Sequence, residues 1–159
     1  MSFYENDNPP YLDELDKEIL KTLQANSRKA FTDIAKSLDV SSGTIHQRYN
    51  KMVELGIITG SRIEINFHRL GFDVTTLLGV HLKNGNDHEK VVEKLKKIKN
   101  IVEINYTTGH YALIIKVKTK SIKDLHLLLV NKVQNIKEIQ STESFICLKE
   151  YFSRDISLL

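Results

Sequence analysis

The chain contains no tryptophan, a single cysteine and only two prolines among its 159 residues. The lone Cys147 cannot build a disulfide framework within the chain, nor can it supply a cysteine-rich zinc site. No apolar run reaches the roughly 18–20 residues that a membrane helix needs. The first residues also lack the basic start and apolar core of a secretory signal peptide. Because small secreted domains usually depend on disulfides, these absences predict a cytoplasmic protein without a membrane partner.

The chain also lacks a large excess of charge of one sign, and it lacks recognisable catalytic motifs. The 23 Lys and Arg residues stand against 20 Asp and Glu residues, a net charge of +3 that permits nucleic-acid binding without arguing for it. The seven glycines form neither a nucleophile elbow, a phosphate-binding loop nor a dinucleotide-binding loop, and the six histidines include no short His-x-His pair. The sequence therefore predicts a protein that is not an enzyme and that holds neither a metal ion nor a cofactor.

The N-terminal part predicts a polar arm followed by short helices. Residues 1–11 are polar and include a pair of prolines, which is typical of a flexible arm. Apolar residues at helical spacing predict a first helix over residues 13–24, with Asp13 as its N-cap. A second helix is predicted over residues 33–38, with Thr32 as its N-cap.

The third helix completes a helix-turn-helix pattern. It is predicted to begin after Ser41 or Ser42 and to end at Gly56, since glycine is favoured in the left-handed position that follows a helix. Only three residues separate it from the second helix, which is the spacing of a helix-turn-helix. Residues 57–66 alternate apolar and polar residues around a Thr-Gly-Ser turn, which predicts a small β-hairpin, or wing. We therefore expect a winged helix-turn-helix domain over residues 12–66.

A second, α/β domain is predicted over residues 74–159, after a linker at residues 67–73. Its strands are expected at residues 75–83, 101–107, 111–118 and 136–148, with a possible break near Thr142, and its helices at residues 88–99 and from Ser121 onward. This β-α-β-β-α-β order is that of the ferredoxin-like unit, so the fold class is α+β. The first and third strands are apolar on both faces, which indicates that a second copy of the chain covers the face opposite the helices.

The outer face of the third helix is predicted to carry side chains suited to contacts with DNA. The predicted DNA-binding residues are Ser41, Ser42, Gly43, Thr44, His46, Gln47, Arg48, Asn50 and Lys51. Gln and Asn suit bidentate contacts with adenine, and Arg and Lys suit phosphate or guanine. The free N–H groups at the start of the helix suit a phosphate. As an alternative, Arg48 pairs with Asp33 or Asp39 and fixes the helix packing.

Taken together, these residues resemble the Lrp/AsnC (feast/famine) transcription regulators. The matching positions in the first domain include Leu15-Asp16, Ile34-Ala35 and Leu55-Gly56-Ile57, and Thr108-Gly109-His110-Tyr111 resembles the family's hallmark turn. The resemblance extends over residues 12–150. Two positions depart from the family pattern: His110 and Ala112 flank the tyrosine where the family often has an acidic residue, and Thr142-Glu143-Ser144 stands where it often has Thr-x-Thr.

The resemblance implies three kinds of partner. These are double-stranded DNA, a small amino-acid-like effector, and further copies of the chain in a homodimer that assembles into an octamer. In the family the effector binds where dimers meet, near the turn after the second strand. The effector-binding residues carried over by position are Thr108, Gly109, His110, Tyr111, Thr142 and Ser144.

Two alternatives share this architecture. Sirohaem decarboxylases resemble Lrp/AsnC proteins and carry a His-rich turn at a comparable place, to which His110-Tyr111 corresponds. A general nucleoid-organising protein differs from a local regulator in DNA specificity and not in fold. The intact polar face of the third helix argues against the decarboxylase, whereas the sequence does not separate a nucleoid-organising protein from a local regulator.

Overall fold

The computed structural model describes residues 10–154 and 156 of the chain. These residues form two compact units, one extending to Glu64 and including Arg154 and Ile156, the other spanning Ile65–Ser153. Among the described residues, no helix is both long enough and apolar enough to span a bilayer.

The first unit contains three helices, α1 (Glu14–Ala25), α2 (Phe31–Ser37) and α3 (Ser42–Glu54). The predicted caps of α1 and α3 are confirmed. The Asp13 side chain accepts a hydrogen bond from the Asp16 N–H at 2.9 Å, and the Ser41 hydroxyl accepts one from the Thr44 N–H at 3.0 Å. The prediction that Thr32 caps α2 is wrong. The helix starts one residue earlier, at Phe31, and its N-cap position is taken by Ala30, whose carbonyl accepts the first helical hydrogen bonds.

The three helices enclose one small apolar core. Its fully or nearly buried members are Ile19, Ile34, Ala35, Ile45 and Met52. The chain turns between α2 and α3 with Asp39 in the left-handed conformation, at φ 53°, which Asp tolerates better than most residues. Gly56 ends α3 in the same conformation, as its position predicted. The helix-turn-helix is therefore confirmed.

The expected β-hairpin is not formed. Residues 57–66, all of them described, contain no strand, and Ile63 in their middle is 72% exposed. An isolated two-stranded hairpin is marginally stable in water. An apolar residue that finds no surface to pack against adds nothing to its stability. The prediction of a wing hairpin is therefore wrong for the single chain, although the alternation that suggested it is present.

The second unit is a four-stranded antiparallel sheet with helices on one face. Its strands are β1 (Val74–Leu82), β2 (Ile101–Tyr106), β3 (Leu113–Thr119) and β4 (Ile139–Cys147), in the spatial order β2-β3-β1-β4. Its helices are α4 (His88–Leu95) and α5 (Ile122–Leu128), the latter continuing in a π-helical turn over Leu129–Val133. The predicted β-α-β-β-α-β order and the α+β fold class are confirmed.

Strand β4 is continuous, but it carries a bulge close to Thr142: Ser141 pairs with His81 and Ile139 with Leu82, so Gln140 is an extra residue in β4. The irregularity expected near Thr142 is therefore a bulge and not a break. The predicted end of α4 is wrong. Helix α4 ends at Leu95 and not at Lys99, since the next turn tightens into a hydrogen bond of 2.9 Å from the Ile98 N–H to the Leu95 carbonyl.

The sheet has a packed face and an open face. The packed face contributes the buried residues Leu78, Val80, Leu113, Ile115 and Val117 to a core shared with the helices. The open face carries the alternate residues of the same strands. Among these, Leu77 is 38% exposed and its β4 neighbour Phe145 is 47% exposed. A substantial apolar surface therefore remains uncovered within one chain.

Charged groups tie α4 to the segment that leads into β4. The carboxylate of Glu138 is nearly buried and forms ion pairs with Lys90 at 2.7 Å and with Lys94 at 2.6 Å. These two contacts hold the pKa of Glu138 at about 2, well below its usual value. Two lysines of α4 are therefore engaged in fixing the helix against the chain that follows α5.

Candidate DNA-binding and effector sites

Helix α3 separates its side chains into a buried and an exposed face. Ile45 and Met52 are buried, and Tyr49 is half-buried. The exposed residues are Gly43, His46, Gln47, Asn50 and Lys51, followed in the last turn by Val53 and Glu54. The first five were predicted to contact DNA, and the structure places them together on one side of the helix. This face offers amide, imidazole and ammonium groups, which are the donors and acceptors that base edges and phosphates take.

The start of α3 is built from small polar residues. The Ser41 and Thr44 hydroxyls lie 2.9 Å apart and share a hydrogen bond, while Ser41 also caps the helix. A Cβ placed on Gly43 would meet only the Ser41 hydroxyl, at 3.6 Å, so the fold itself leaves room for a side chain there. Packing within the chain therefore does not explain the glycine, whereas close approach of a phosphate would.

Arg48 does not belong to the exposed face. Its guanidinium donates to the Asp13 carboxylate at 2.5 Å and to the Asp16 carboxylate at 3.2 Å. The predicted alternative, in which Arg48 fixes the helix packing, describes this arrangement, but the predicted partners Asp33 and Asp39 are wrong. The acids of α1 are used instead because α1 packs against this side of α3.

This cluster also changes the acidity of its members. The Asp16 backbone N–H and then the Arg48 guanidinium hold the pKa of Asp13 below its usual value. The hydrogen bond to Asp13 raises the pKa of Arg48 further above neutrality. Asp16 is buried, so the pair joins the start of α1 to the middle of α3 over a sequence separation of 32 residues.

A ring cluster that the sequence did not reveal lies beside the exposed face. Phe31, the first residue of α2, has its ring centroid 4.7 Å from that of His46 and 5.0 Å from that of Tyr49. The spacing of residues within α3 gives no sign that α2 supplies an aromatic partner for His46.

The turn between β2 and β3 contains four of the six predicted effector-binding residues. Thr108, Gly109 and His110 are exposed, and Tyr111 is half-buried. The turn is closed by a hydrogen bond of 3.0 Å from the Thr107 N–H to the Ala112 carbonyl. Three of these residues are thus accessible to a ligand at the tip of the turn.

Tyr111 lies flat against the open face of the sheet. Its ring passes so close to Gly79 of β1 that a Cβ at that position would lie 2.6 Å from a ring carbon. The Tyr111 hydroxyl donates a short hydrogen bond to the Glu143 carboxylate of β4, which raises the pKa of the tyrosine. The absence of a side chain at Gly79 is what allows the ring to reach across β1.

Other rings surround this tyrosine. The His81 ring centroid lies 4.7 Å from that of His110 and 5.0 Å from that of Tyr111, and the Phe145 ring is 6.1 Å from Tyr111. The open face therefore carries a cluster of two imidazoles, two aromatic rings and the Glu143 carboxylate. Sequence reasoning missed His81, Glu143 and Gly79, because only the strand register brings them to the turn.

Thr142 and Ser144 lie on the other face of the sheet. Residues directly opposite each other in an antiparallel pair point to the same side. Thr142 is opposite Val80 and Ser144 is opposite Leu78, and both partners belong to the packed core. Thr142 lines a separate concavity of about 360 Å³ together with Gln134, Ile139, Gln140 and Ser141. The structure therefore does not bring Thr142 and Ser144 together with Tyr111; the intervening Glu143 takes that place.

Comparison with known proteins gives matches over both units. A family model for the Lrp/AsnC ligand binding domain matches residues 75–156, and one for a winged helix-turn-helix DNA-binding domain matches residues 12–59. Regulatory protein AsnC of Escherichia coli strain K12 is 45% identical over 145 residues, which are 91% of this chain and 95% of that protein. The HTH-type transcriptional regulator Ptr1 of Methanocaldococcus jannaschii is 34% identical over 140 residues, 88% of this chain and 94% of that protein.

Solved structures agree with the sequence relatives. The structure of E. coli AsnC has a TM-score of 0.89 and 43% identity to this chain, covering 93% of this chain and 99% of the other. The transcriptional regulator NMB0573 of Neisseria meningitidis, solved as a complex with L-Met, has a TM-score of 0.85 at 17% identity, covering 94% and 97%. The second match shows a shared fold only.

Proposed function

The chain belongs to the Lrp/AsnC family of transcriptional regulators, and on that premise we propose that α3 reads specific DNA while an amino acid bound near the β2–β3 turn changes the DNA affinity. The named relatives are regulators, and the chain has both a helix-turn-helix domain and an effector-binding domain. It is therefore a regulator and not an enzyme. Because a regulator acts where the DNA lies, this function supports a cytoplasmic location.

One observation carries the DNA-binding part of the proposal. From Gly43 to Lys51 the face of α3 that is turned away from the core carries polar side chains, while Ile45 and Met52 anchor the opposite face. In a helix-turn-helix the second helix of the motif lies in the major groove, with its N-terminal residues at the base edges. Gln47 and Asn50 are the candidates for base contacts, Lys51 for a phosphate, and Ser42 with Gly43 for a phosphate at the helix start.

Arg48 has a different role in this proposal. Its guanidinium donates hydrogen bonds to two carboxylates at the start of α1. We therefore assign Arg48 to fixing the orientation of α3 relative to α1. A buried acid such as Asp16 is costly to leave without its partner. Replacement of Arg48 is therefore expected to lower stability before it changes sequence preference.

Specific binding by this motif needs two copies. Helix-turn-helix regulators bind half-sites about 34 Å apart through a two-fold dimer. The open face of the sheet, with Leu77 and Phe145 exposed, is the surface that supports a dimer of these chains. A dimer that buries this face gives the sheet the second apolar contact that its strands lack. Further assembly to an octamer stays a prediction from the family resemblance.

The effector-binding part rests on the exposed turn and the ring cluster beneath it. Backbone N–H groups around Gly109 suit the carboxylate of an amino acid, and Glu143 suits its ammonium group, beside the rings of Tyr111 and His81. Thr108 and His110 are the turn residues placed to contact the ligand. An effector shifts DNA affinity only by the difference in its own affinity for the two assembly states, so DNA must in turn change the affinity for the effector.

The test is a salt titration of binding to DNA from upstream of the chain's own gene, compared with scrambled DNA of equal length. Each titration is repeated with a mixture of the twenty amino acids. The proposal expects selective binding whose affinity falls with salt and is changed by the mixture. Binding without selectivity would instead support a nucleoid-organising protein. Selective binding with an affinity that the amino-acid mixture does not change would refute only the proposal that an amino acid is the effector.

A further inference from the structure

Phe31 joins the two helices of the helix-turn-helix at the edge of the DNA-reading face. Its ring is half-buried and packs against the apolar core on one side. On the other side its ring meets the His46 ring at 4.7 Å with the planes 72° apart, and the Tyr49 ring at 5.0 Å with the planes 53° apart. Both distances fall in the range of favourable aromatic pairs, and the first has the edge-to-face geometry.

His46 is the partner whose freedom this contact limits. Its side chain is exposed on the first turns of α3, where residues of a recognition helix meet base edges. An exposed imidazole ordinarily samples several rotamers, and fixing one of them when DNA binds costs conformational entropy. An aromatic ring held against the imidazole in the free protein reduces that cost before binding. Tyr49, one turn further along α3, is the second ring in contact with Phe31.

We propose that Phe31 is a positioning residue for DNA recognition, which holds His46 in the orientation that contacts DNA and thereby contributes to sequence preference. The inference rests on the proposed function, because it assumes that α3 lies in the major groove. Phe31 itself is not assigned a DNA contact. Its effect is carried by His46, and through its place at the start of α2 it links the position of the first helix of the motif to the reading face of the second.

The start of α2 explains why an aromatic ring is suited to this place. The N-cap residue Ala30 makes no side-chain hydrogen bond to the helix, so the first turn has only backbone hydrogen bonds and packing, to which the Phe31 ring contributes. A leucine fills much of the same volume but has no flat face and no polarised ring edge for an imidazole. A tyrosine keeps both. The comparison of these two replacements therefore separates the ring contact from simple filling of the core.

The experiment measures base preference at each position of a randomised half-site for five full-length chains. These are wild type, Phe31→Leu, Phe31→Tyr, His46→Ala and the variant that combines Phe31→Leu with His46→Ala. A sixth chain, Leu38→Ala, is the matched control, since Leu38 packs against the same core but is not an aromatic partner of His46. Thermal unfolding of all six chains is measured in parallel.

The inference expects Phe31→Leu to lose preference at the same base pair as His46→Ala, by about two- to tenfold. The double variant should lose no more than His46→Ala alone, because both changes remove one interaction. Phe31→Tyr should keep the preference. Leu38→Ala should lower the unfolding temperature and leave the preference unchanged. If Phe31→Leu fails to fold, Phe31→Met, which retains more flexible bulk, takes its place in the same comparison.

Three results would overturn the inference. Phe31→Leu could lower stability and leave the preference intact, which makes Phe31 a core residue only. The losses from Phe31→Leu and His46→Ala could add, which means that Phe31 does not act through His46. His46→Ala could keep the base preference of the wild type, which refutes this inference and leaves the proposed function standing. A wild-type chain without any base preference refutes the proposed function itself, so the two failures are distinguishable.

Discussion

Replacement of Gly79 by alanine tests whether the open face is organised around Tyr111. A Cβ at Gly79 would lie 2.6–2.7 Å from three carbons of the Tyr111 ring, including the one closest to its backbone. Carbon atoms pack at about 3.5–4.0 Å, so the ring has to move by about 1 Å. Because the ring is rigid and its hydroxyl is bound to Glu143, that movement disturbs the hydrogen bond as well as the packing.

The magnitude follows from two opposing effects. Overpacking of this kind costs about 1–3 kcal/mol, whereas replacing a glycine within a strand by alanine gains about 0.5–1 kcal/mol. In the wild-type background we therefore expect Gly79→Ala to lower the free energy of unfolding by about 0.5–2 kcal/mol. In a Tyr111→Ala background the clash is absent, and the same change should be neutral or stabilising. The two changes should thus couple by about 1–3 kcal/mol.

The assay is urea unfolding followed by circular dichroism on the four chains of this cycle. Each chain is measured at two protein concentrations, because a dimer that buries the open face makes the midpoint concentration-dependent. Gly43→Ala, a glycine change with open space around it, is the control for the effect of a methyl group as such. Strictly additive effects of Gly79→Ala and Tyr111→Ala would refute the argument that the glycine exists to admit the ring.

Four further predictions concern separate sites. Gln47→Ala should cost about 1–3 kcal/mol of discrimination at one base pair, measured by binding to a half-site library; an unchanged preference contradicts the placement of α3 in the groove. Gly43→Ala should raise the free energy of unfolding by up to about 1 kcal/mol while weakening DNA binding; equal or tighter binding would exclude a close phosphate. The pKa of Glu138 is lowered to about 2 from 4.5. Its ion pairs therefore stabilise the fold above pH 4.5 and are lost as the pH falls towards 2. The urea midpoint advantage of the wild type over Glu138→Gln should shrink across that window, and a constant difference would argue against the ion pairs. Phe145→Lys on the open face should dissociate the proposed dimer in sedimentation experiments, whereas Leu127→Lys, a similarly exposed position on α5, should not; equal effects would remove the assignment of the interface.

Much of the fold follows from local patterns in the sequence. The spacing of apolar residues predicted the order of helices α1 to α5 and of the four strands of the sheet, because each periodicity is a property of one element. Asp13, Ser41 and Ser121 were predicted at helix starts, and each is found accepting a hydrogen bond from the first turn. Gly56 was predicted to end α3 and does so with positive φ. These features depend on residues three or four positions apart, which a sequence displays directly.

The candidate DNA-reading face was also predictable. Once Ile45 and Met52 were assigned to the core, the helical period placed Gln47 and Asn50 on the exposed side, as the structure shows. The partners of Arg48 were not predictable in the same way. Several acids lay within plausible reach in the sequence, and only the packing of α1 on α3 selects Asp13 and Asp16.

The sequence by itself therefore determined the family, the order of elements, the caps of α1, α3 and α5 and the polar face of α3, since all of these depend on local spacing and residue type. The tertiary structure alone decided that residues 57–66 form no hairpin within the chain, because a hairpin needs a surface to pack on. It also decided that Tyr111 lies over Gly79 and binds Glu143, whereas Thr142 and Ser144 lie on the opposite face of β4. Strand register sets which side chains share a face, and a shift of one residue reverses every assignment.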